Sequence, residues 1–189
     1  MTEHWLRTDE RIDALSSLHL YVDTISRTKE DPIYWKWSII SLHNSVQCVM
    51  SFHLGFGNDL LVMSQDDAEA WLEAHDLGAE YPETKMDNFL NLYKKIKKHA
   101  ILGYKFVPNN GEGTSIKQLN KFRNEFVHFM PKGWSIEMSG MPKICCDCLN
   151  IVKKLGEGPI NVRWETDKQA ILFTNLLTKA INKTNEIYH

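Results

Sequence analysis

The stretch KFRNEFVHFMP, Lys121 to Pro131, sets an arginine, an asparagine and a histidine in the last turns of an amphipathic segment that a proline closes. These residue types suit chemistry at a phosphate. Arginine carries a permanent charge on a planar fork that matches phosphate oxygens. Histidine titrates near neutrality and can take up or supply a proton. Cleaving RNA without a metal needs both: a 2′-hydroxyl must lose its proton, a leaving 5′-oxygen must gain one, and charge on a phosphorane-like transition state must be stabilised. Arg123 is the candidate phosphate clamp, His128 the candidate acid or base, and Asn124 a support for either.

Helix geometry sets a difficulty for this reading. On an ideal wheel Leu119, Phe122, Phe126, Phe129 and Met130 gather on one face, with Arg123 about 60° from Phe126 on its flank. A guanidinium there must snorkel to water or find an anion. Asn124 and His128, at i and i+4, share the roughly opposite face. Arg123 and His128 are about 140° apart, so one straight helix is not expected to bring them together. A long arginine, a distorted last turn before Pro131, or a second subunit across a two-fold axis would be needed. With five arginines and eight histidines in the chain, the bare spacing also arises by coincidence, and only its context adds weight.

The elements that carry these residues follow a helical period almost throughout. Leu15, Leu18, Val22 and Ile25 predict a helix from about Thr8 to Lys29, and Asp31-Pro32 stops it and starts the next. That second helix has an apolar stripe at Trp35, Ile39, Leu42, Val46 and Val49, and a small or polar one at Ser38, Ser41, Ser45 and Cys48 with Asn44 beside it. Such a helix is expected to be central, approached on both faces. SQDDAEAWLEAH predicts a short helix capped by Ser64. Met86, Phe89 or Leu90, Tyr93, Ile96 and Ala100 mark another, and Thr114 or Ser115 is expected to cap the helix of Arg123. PKGWSIEMSGMP reads as a loop with a short extended piece around Trp134–Met138. ICCDCLNIVKKL and TDKQAILFTNLLTKAINKTNEIY supply the last two helices. No useful alternation of a strand is present, so the expectation is an all-α up-and-down bundle with an additional short helix and irregular loops, one domain over residues 1–189.

Composition bounds the rest. The chain has 189 residues, 43% hydrophobic and 24% charged, with a net charge of −2, which fits one globular domain and argues against disorder. The N-terminal MTEHWLRTDERID lacks the layout of a signal peptide and no long apolar run follows, so a soluble cytoplasmic protein is expected. The charge is unevenly spread. Nine acids and one base, Lys85, lie between Asp59 and Asp87, whereas eight Lys/Arg and one acid, Glu112, lie between Tyr93 and Arg123. The two blocks could pair on the folded surface, or the basic one could meet phosphates. In the second case Lys94, Lys95, Lys97, Lys98 and Lys121 would contact an RNA backbone, with Tyr93 available for stacking on a base. Cys145 and Cys148 form a C-x2-C with no second pair, so they are expected to be small buried hydrophobes. No metal and no cofactor is expected. The two GEG runs lack the lysine and the strand of a phosphate-binding loop.

RNEFVH also resembles the Arg-x4–6-His signature, with its frequent polar residue after the arginine, of the HEPN (higher eukaryotes and prokaryotes nucleotide-binding) superfamily. SLHNSVQCVMSF is similar to the second helix of a bacterial, plasmid-associated branch of it. The resemblance implies a compact helical homodimer whose two motifs face a shared cleft. It implies a metal-independent endoribonuclease, a toxin or phage-defence component with an antitoxin protein as partner. The alternative it leaves open is a non-catalytic module that binds nucleic acid or protein through the same cleft. A plain helical interaction protein, in which RNEFVH is coincidental, is the third reading. His43 and Asn44 are secondary candidates on the central helix. The competing expectation is a solvent-facing residue for His43 and, for Asn44, a buried amide that fixes helix packing.

Overall fold

A computed structural model describes residues 4–128, 133–157 and 164–188. Phe129, Met130 and Pro131, which complete the apolar face and the closing turn expected above, lie outside the described residues. Seven α-helices are present among the described residues: α1 (Glu10–Ile25), α2 (Tyr34–Leu54), α3 (Gln65–Leu77), α4 (Phe89–Lys98), α5 (Glu112–His128), α6 (Met141–Gly156) and α7 (Asp167–Tyr188). A single 3-10 turn, Ser26–Lys29, continues α1. The class is all-α. Trp134–Met138 forms no strand, and the only β pairings among the described residues are the isolated bridges Met63–Met86 and Ile101–Tyr104. No described helix is long and apolar enough to cross a membrane.

Local rules account for most boundaries. Asp9 caps α1, its carboxylate accepting from the amides of Arg11 and Ile12 at 2.9 and 2.8 Å. Ser64 caps α3 through the Asp67 amide, and Gly78 ends that helix in the left-handed conformation. Several helix ends differ from expectation. Helix α4 runs only from Phe89 to Lys98 behind an Asn88 cap, which leaves Met86 in the bridge to Met63 and Ala100 beyond the end. Met141 and Pro142, expected to end the preceding loop, are already helical, so α6 begins at Met141 with Pro142 in its first turn. Neither Thr114 nor Ser115 caps α5, which begins at Glu112. The Glu112 carboxylate reaches back to accept from the Asn109 amide at 2.6 Å, while the Ser115 hydroxyl is turned to Asp147 of α6.

Helix α2 is the central element, packed against α1, α4, α5 and α6. Its apolar stripe is buried, and so are Ser38, Ser41, Ser45 and Cys48 on the other side. The serines stay satisfied by donating to backbone carbonyls: Ser38 to Tyr34 at 3.0 Å, Ser41 to Trp37 at 2.7 Å and Ser45 to Ala14 of α1 at 3.4 Å. Small side chains that need no other partner let α1 lie close along this face. Helix α7 closes the bundle against α1 and α6. Tyr21 and Thr184 share a buried hydroxyl–hydroxyl bond of 2.7 Å across the α1–α7 contact. A Cβ on Gly156 would lie 2.3 Å from the buried Phe173 ring, so glycine is what allows α6 and α7 to approach there.

Candidate functional site at the end of helix five

Helix α5 is held to the core by Ile116 and Leu119, both fully buried, and by half-buried Phe122 and Phe126, the latter tilted against Trp134 at 5.3 Å. Arg123 stands one turn beyond Leu119 and two beyond Ile116, so its stem leaves from the core side of the helix. The side chain then wraps across the helix end. Its Nη1 donates to Asn124 Oδ1 at 3.1 Å and to His128 Nε2 at 3.3 Å. Of the three routes that could bring them together, the long arginine is the one the structure uses. An arginine is long enough to span the angle that separates the two Cα atoms, and no second subunit is required for the contact. A guanidinium has only donors, so His128 Nε2 is the acceptor in this arrangement. Asn124 and His128 are exposed.

Behind this trio lies a second layer. His43 of α2 is 4% exposed, not solvent-facing as expected. Its ring stacks on Phe89 of α4 with centroids 3.9 Å apart, and its Nε2 is 3.1 Å from Asn120 Oδ1. Because an amide oxygen only accepts, Nε2–H donates. Burial lowers its pKa to about 4; the bond to Asn120 opposes that shift, and the positive charge of Arg123 adds to it. Asn120 precedes Arg123 by three residues and Asn124 by four, so the chain His43–Asn120 abuts the Arg123 side of the helix. Asn120 was not singled out from sequence. Its signal was the same i, i+3 and i+4 spacing that links it to the arginine and the second asparagine.

A pH dependence follows from His43. Its folded pKa lies below the ordinary value of 6.5, so between about 4 and 6.5 the unfolded chain binds more protons than the folded one. Stability from this group is fully present above pH 6.5 and is lost as pH falls toward 4, at about 1.4 kcal/mol per unit of displacement. Urea unfolding at a series of pH values should show this loss, and His43→Phe should flatten it. An unchanged slope in the variant would refute the assignment.

Asn44 takes no part in the site. Its Nδ2 donates to Asp13 Oδ2 at 2.9 Å and to Ser17 Oγ at 2.7 Å, both on α1. It is an amide that fixes the α1–α2 contact. The lysines divide as well. Lys95 is bound to Asp87 at 2.7 Å and also donates to the Met63 carbonyl, so it is committed to the fold. Lys97 sits 4.6 Å over the Tyr93 ring, while Lys94, Lys98 and Lys121 are exposed. Tyr93 cannot stack on a base: it is buried edge-on against Phe106, 6.2 Å between centroids, and burial pushes its phenol up to about 12.

Cys145 and Cys148 are fully buried, and burial raises both thiols well above their ordinary value. No cluster of three or more His, Cys, Asp or Glu able to hold a metal occurs among the described residues.

No family model, no curated protein and no solved structure matches this chain. The functional reading therefore rests on the residues themselves.

Proposed function

We propose that the protein is a metal-independent endoribonuclease of the HEPN kind, a toxin or phage-defence component, with Arg123, Asn124 and His128 as its reacting set. The observation that carries the reading is the hydrogen bond from Arg123 Nη1 to His128 Nε2, 3.3 Å long and open to solvent at the end of α5. A phosphodiester placed there would meet the guanidinium as a stronger partner than a neutral imidazole. Arg123 would turn to the phosphate oxygens and free the Nε2 lone pair. His128 then takes the proton from the adjacent 2′-hydroxyl as that oxygen attacks phosphorus. The P–O5′ bond breaks, the 5′-oxygen is protonated as it leaves, and a 2′,3′-cyclic phosphate remains. One imidazole serves one of the two proton transfers. In a homodimer with facing motifs, His128 of the partner subunit would serve the other.

Exposed Lys121 lies seven residues before His128 on α5, and therefore on the same side of that helix, where it suits an RNA backbone approaching the site. The cytoplasm, where RNA is abundant, is the setting this activity needs. An antitoxin protein is the partner the toxin reading calls for.

The test is incubation of a structured RNA pool with purified protein in excess EDTA, followed by analysis of product ends. Cleavage to 2′,3′-cyclic phosphate termini is expected, and Arg123→Ala and His128→Ala should both abolish it. Absence of cleavage by folded wild-type protein would move the assignment to the non-catalytic binding module.

A further inference from the structure

The acidic stretch and the basic stretch do not neutralise each other within the chain. Apart from the single Asp87–Lys95 pair at the root of α3's return segment, no ion pair among the described residues joins the two blocks. From residue 65 to 84 there are seven acids and no lysine or arginine. Helix α3, which carries most of them, packs on no other helix among the described residues. It is held by its own return segment instead. Trp71 stacks on Tyr81 at 4.7 Å and on His75 at 5.6 Å, and Asp67 accepts from the Lys85 amide at 3.1 Å. Asp66, Glu69, Glu73 and Asp76 fall at i, i+3, i+7 and i+10, one stripe along the arm. Beside that stripe Leu72 and Leu77 are 43% and 73% exposed.

We propose that α3 is a docking arm that seats on the lysine face of α4 in a second copy of this chain. Charge complementarity selects that occupant. Helix α4 carries four lysines and no acid; with Lys95 committed to Asp87, exposed Lys94 and Lys98 stand one turn apart, with half-buried Lys97 to one side over the Tyr93 ring. The Met63–Met86 bridge and the Asp87–Lys95 pair fix the root of the arm beside α4, yet α3 itself does not touch α4. One protomer thus displays both halves of a contact that it does not close. A two-fold arrangement closes it twice, α3 of each copy on α4 of the other. The charges set register and speed encounter, and Leu72 and Leu77 supply apolar area to bury. The inference names a surface for the homodimer proposed above, but it rests on the charge layout, and RNA cleavage plays no part in its test.

Sedimentation velocity of the whole chain provides that test. Wild-type protein is expected to be dimeric at low salt and to dissociate as salt rises. Glu69→Lys/Glu73→Lys and Lys94→Glu/Lys98→Glu, each confirmed as folded by circular dichroism, should each weaken self-association by at least about tenfold. An equimolar mixture of the two variants should restore the dimer. A wild-type chain that stays monomeric at low salt overturns the proposal, as does a dimer that both double variants leave intact. A dimer that responds as expected in a preparation without ribonuclease activity supports the arm and removes only the nuclease reading.

Discussion

Lys154→Met is expected to lower stability by about 3 to 4 kcal/mol, the cost of leaving a buried carboxylate without its cation. Glu112, at the first residue of α5, has a side chain only 1% exposed. Lys154 of α6 donates to both of its oxygens at 2.9 and 3.0 Å, and the Asn109 amide donates to one of them at 2.6 Å. Removing the ammonium leaves one backbone hydrogen bond to support a desolvated charge. Removing the charge as well should restore most of the loss: in Glu112→Gln/Lys154→Met the amide oxygen can still accept from Asn109. Urea unfolding of the single and double variants measures both quantities. A single variant within about 1 kcal/mol of wild type would show that the carboxylate escapes to water by local opening. The pair matters to the site because it fixes the start of the helix whose end holds Arg123 and His128.

Helical period made the bundle legible. Leu15, Leu18, Val22 and Ile25 on α1, and the five-residue stripe on α2, are all buried as their spacing requires. The double-faced character of α2 also read through, since serines and a cysteine at helical spacing are tolerable only where a neighbour comes close. Helix starts were less legible. Thr114 and Ser115 have the chemistry of a cap, but a glutamate two and three residues earlier, buried and paired with a lysine from a distant helix, started α5 first. That pairing is tertiary, and no local pattern reports it.

The site was legible in its residue types and illegible in its geometry. A helix wheel places Cβ atoms, and an arginine carries its charge several bonds beyond Cβ, so angular separation alone could not choose between a long arginine, a distorted turn and a second subunit. His43 was misjudged for a related reason. A histidine next to an asparagine on a helix looks polar, but stacking on Phe89 and a bond to Asn120 make its burial tolerable as the neutral ring. Asn44, one residue on, points a third of a turn away and serves α1 instead. For the lysine run, composition gave the charge but not its division: Lys95 is consumed by the fold, whereas its neighbours at 94 and 98 are not.

Arg123→Lys should lower cleavage by about a hundredfold under the proposed mechanism, although it conserves charge. In the free protein one guanidinium nitrogen serves Asn124 Oδ1 and His128 Nε2 together, at 3.1 and 3.3 Å. Turned from the imidazole to a phosphate, the fork can hold two oxygens in a defined plane. Lysine offers a point charge on a shorter reach and cannot present two coplanar donors to the phosphate. The defect should therefore fall mainly on turnover, with substrate binding less affected, because a cation remains to attract the backbone. Arg123→Ala, lacking both charge and fork, should lose turnover and binding together. A second reading of the same idea needs no turnover: added inorganic phosphate should shift the His128 ring resonances of wild-type protein, as the guanidinium leaves Nε2 for the anion, and should leave those of Arg123→Ala unmoved. Equal cleavage by the lysine variant and wild type would show that Arg123 supplies only charge, and the arginine–histidine contact would then be incidental to the chemistry.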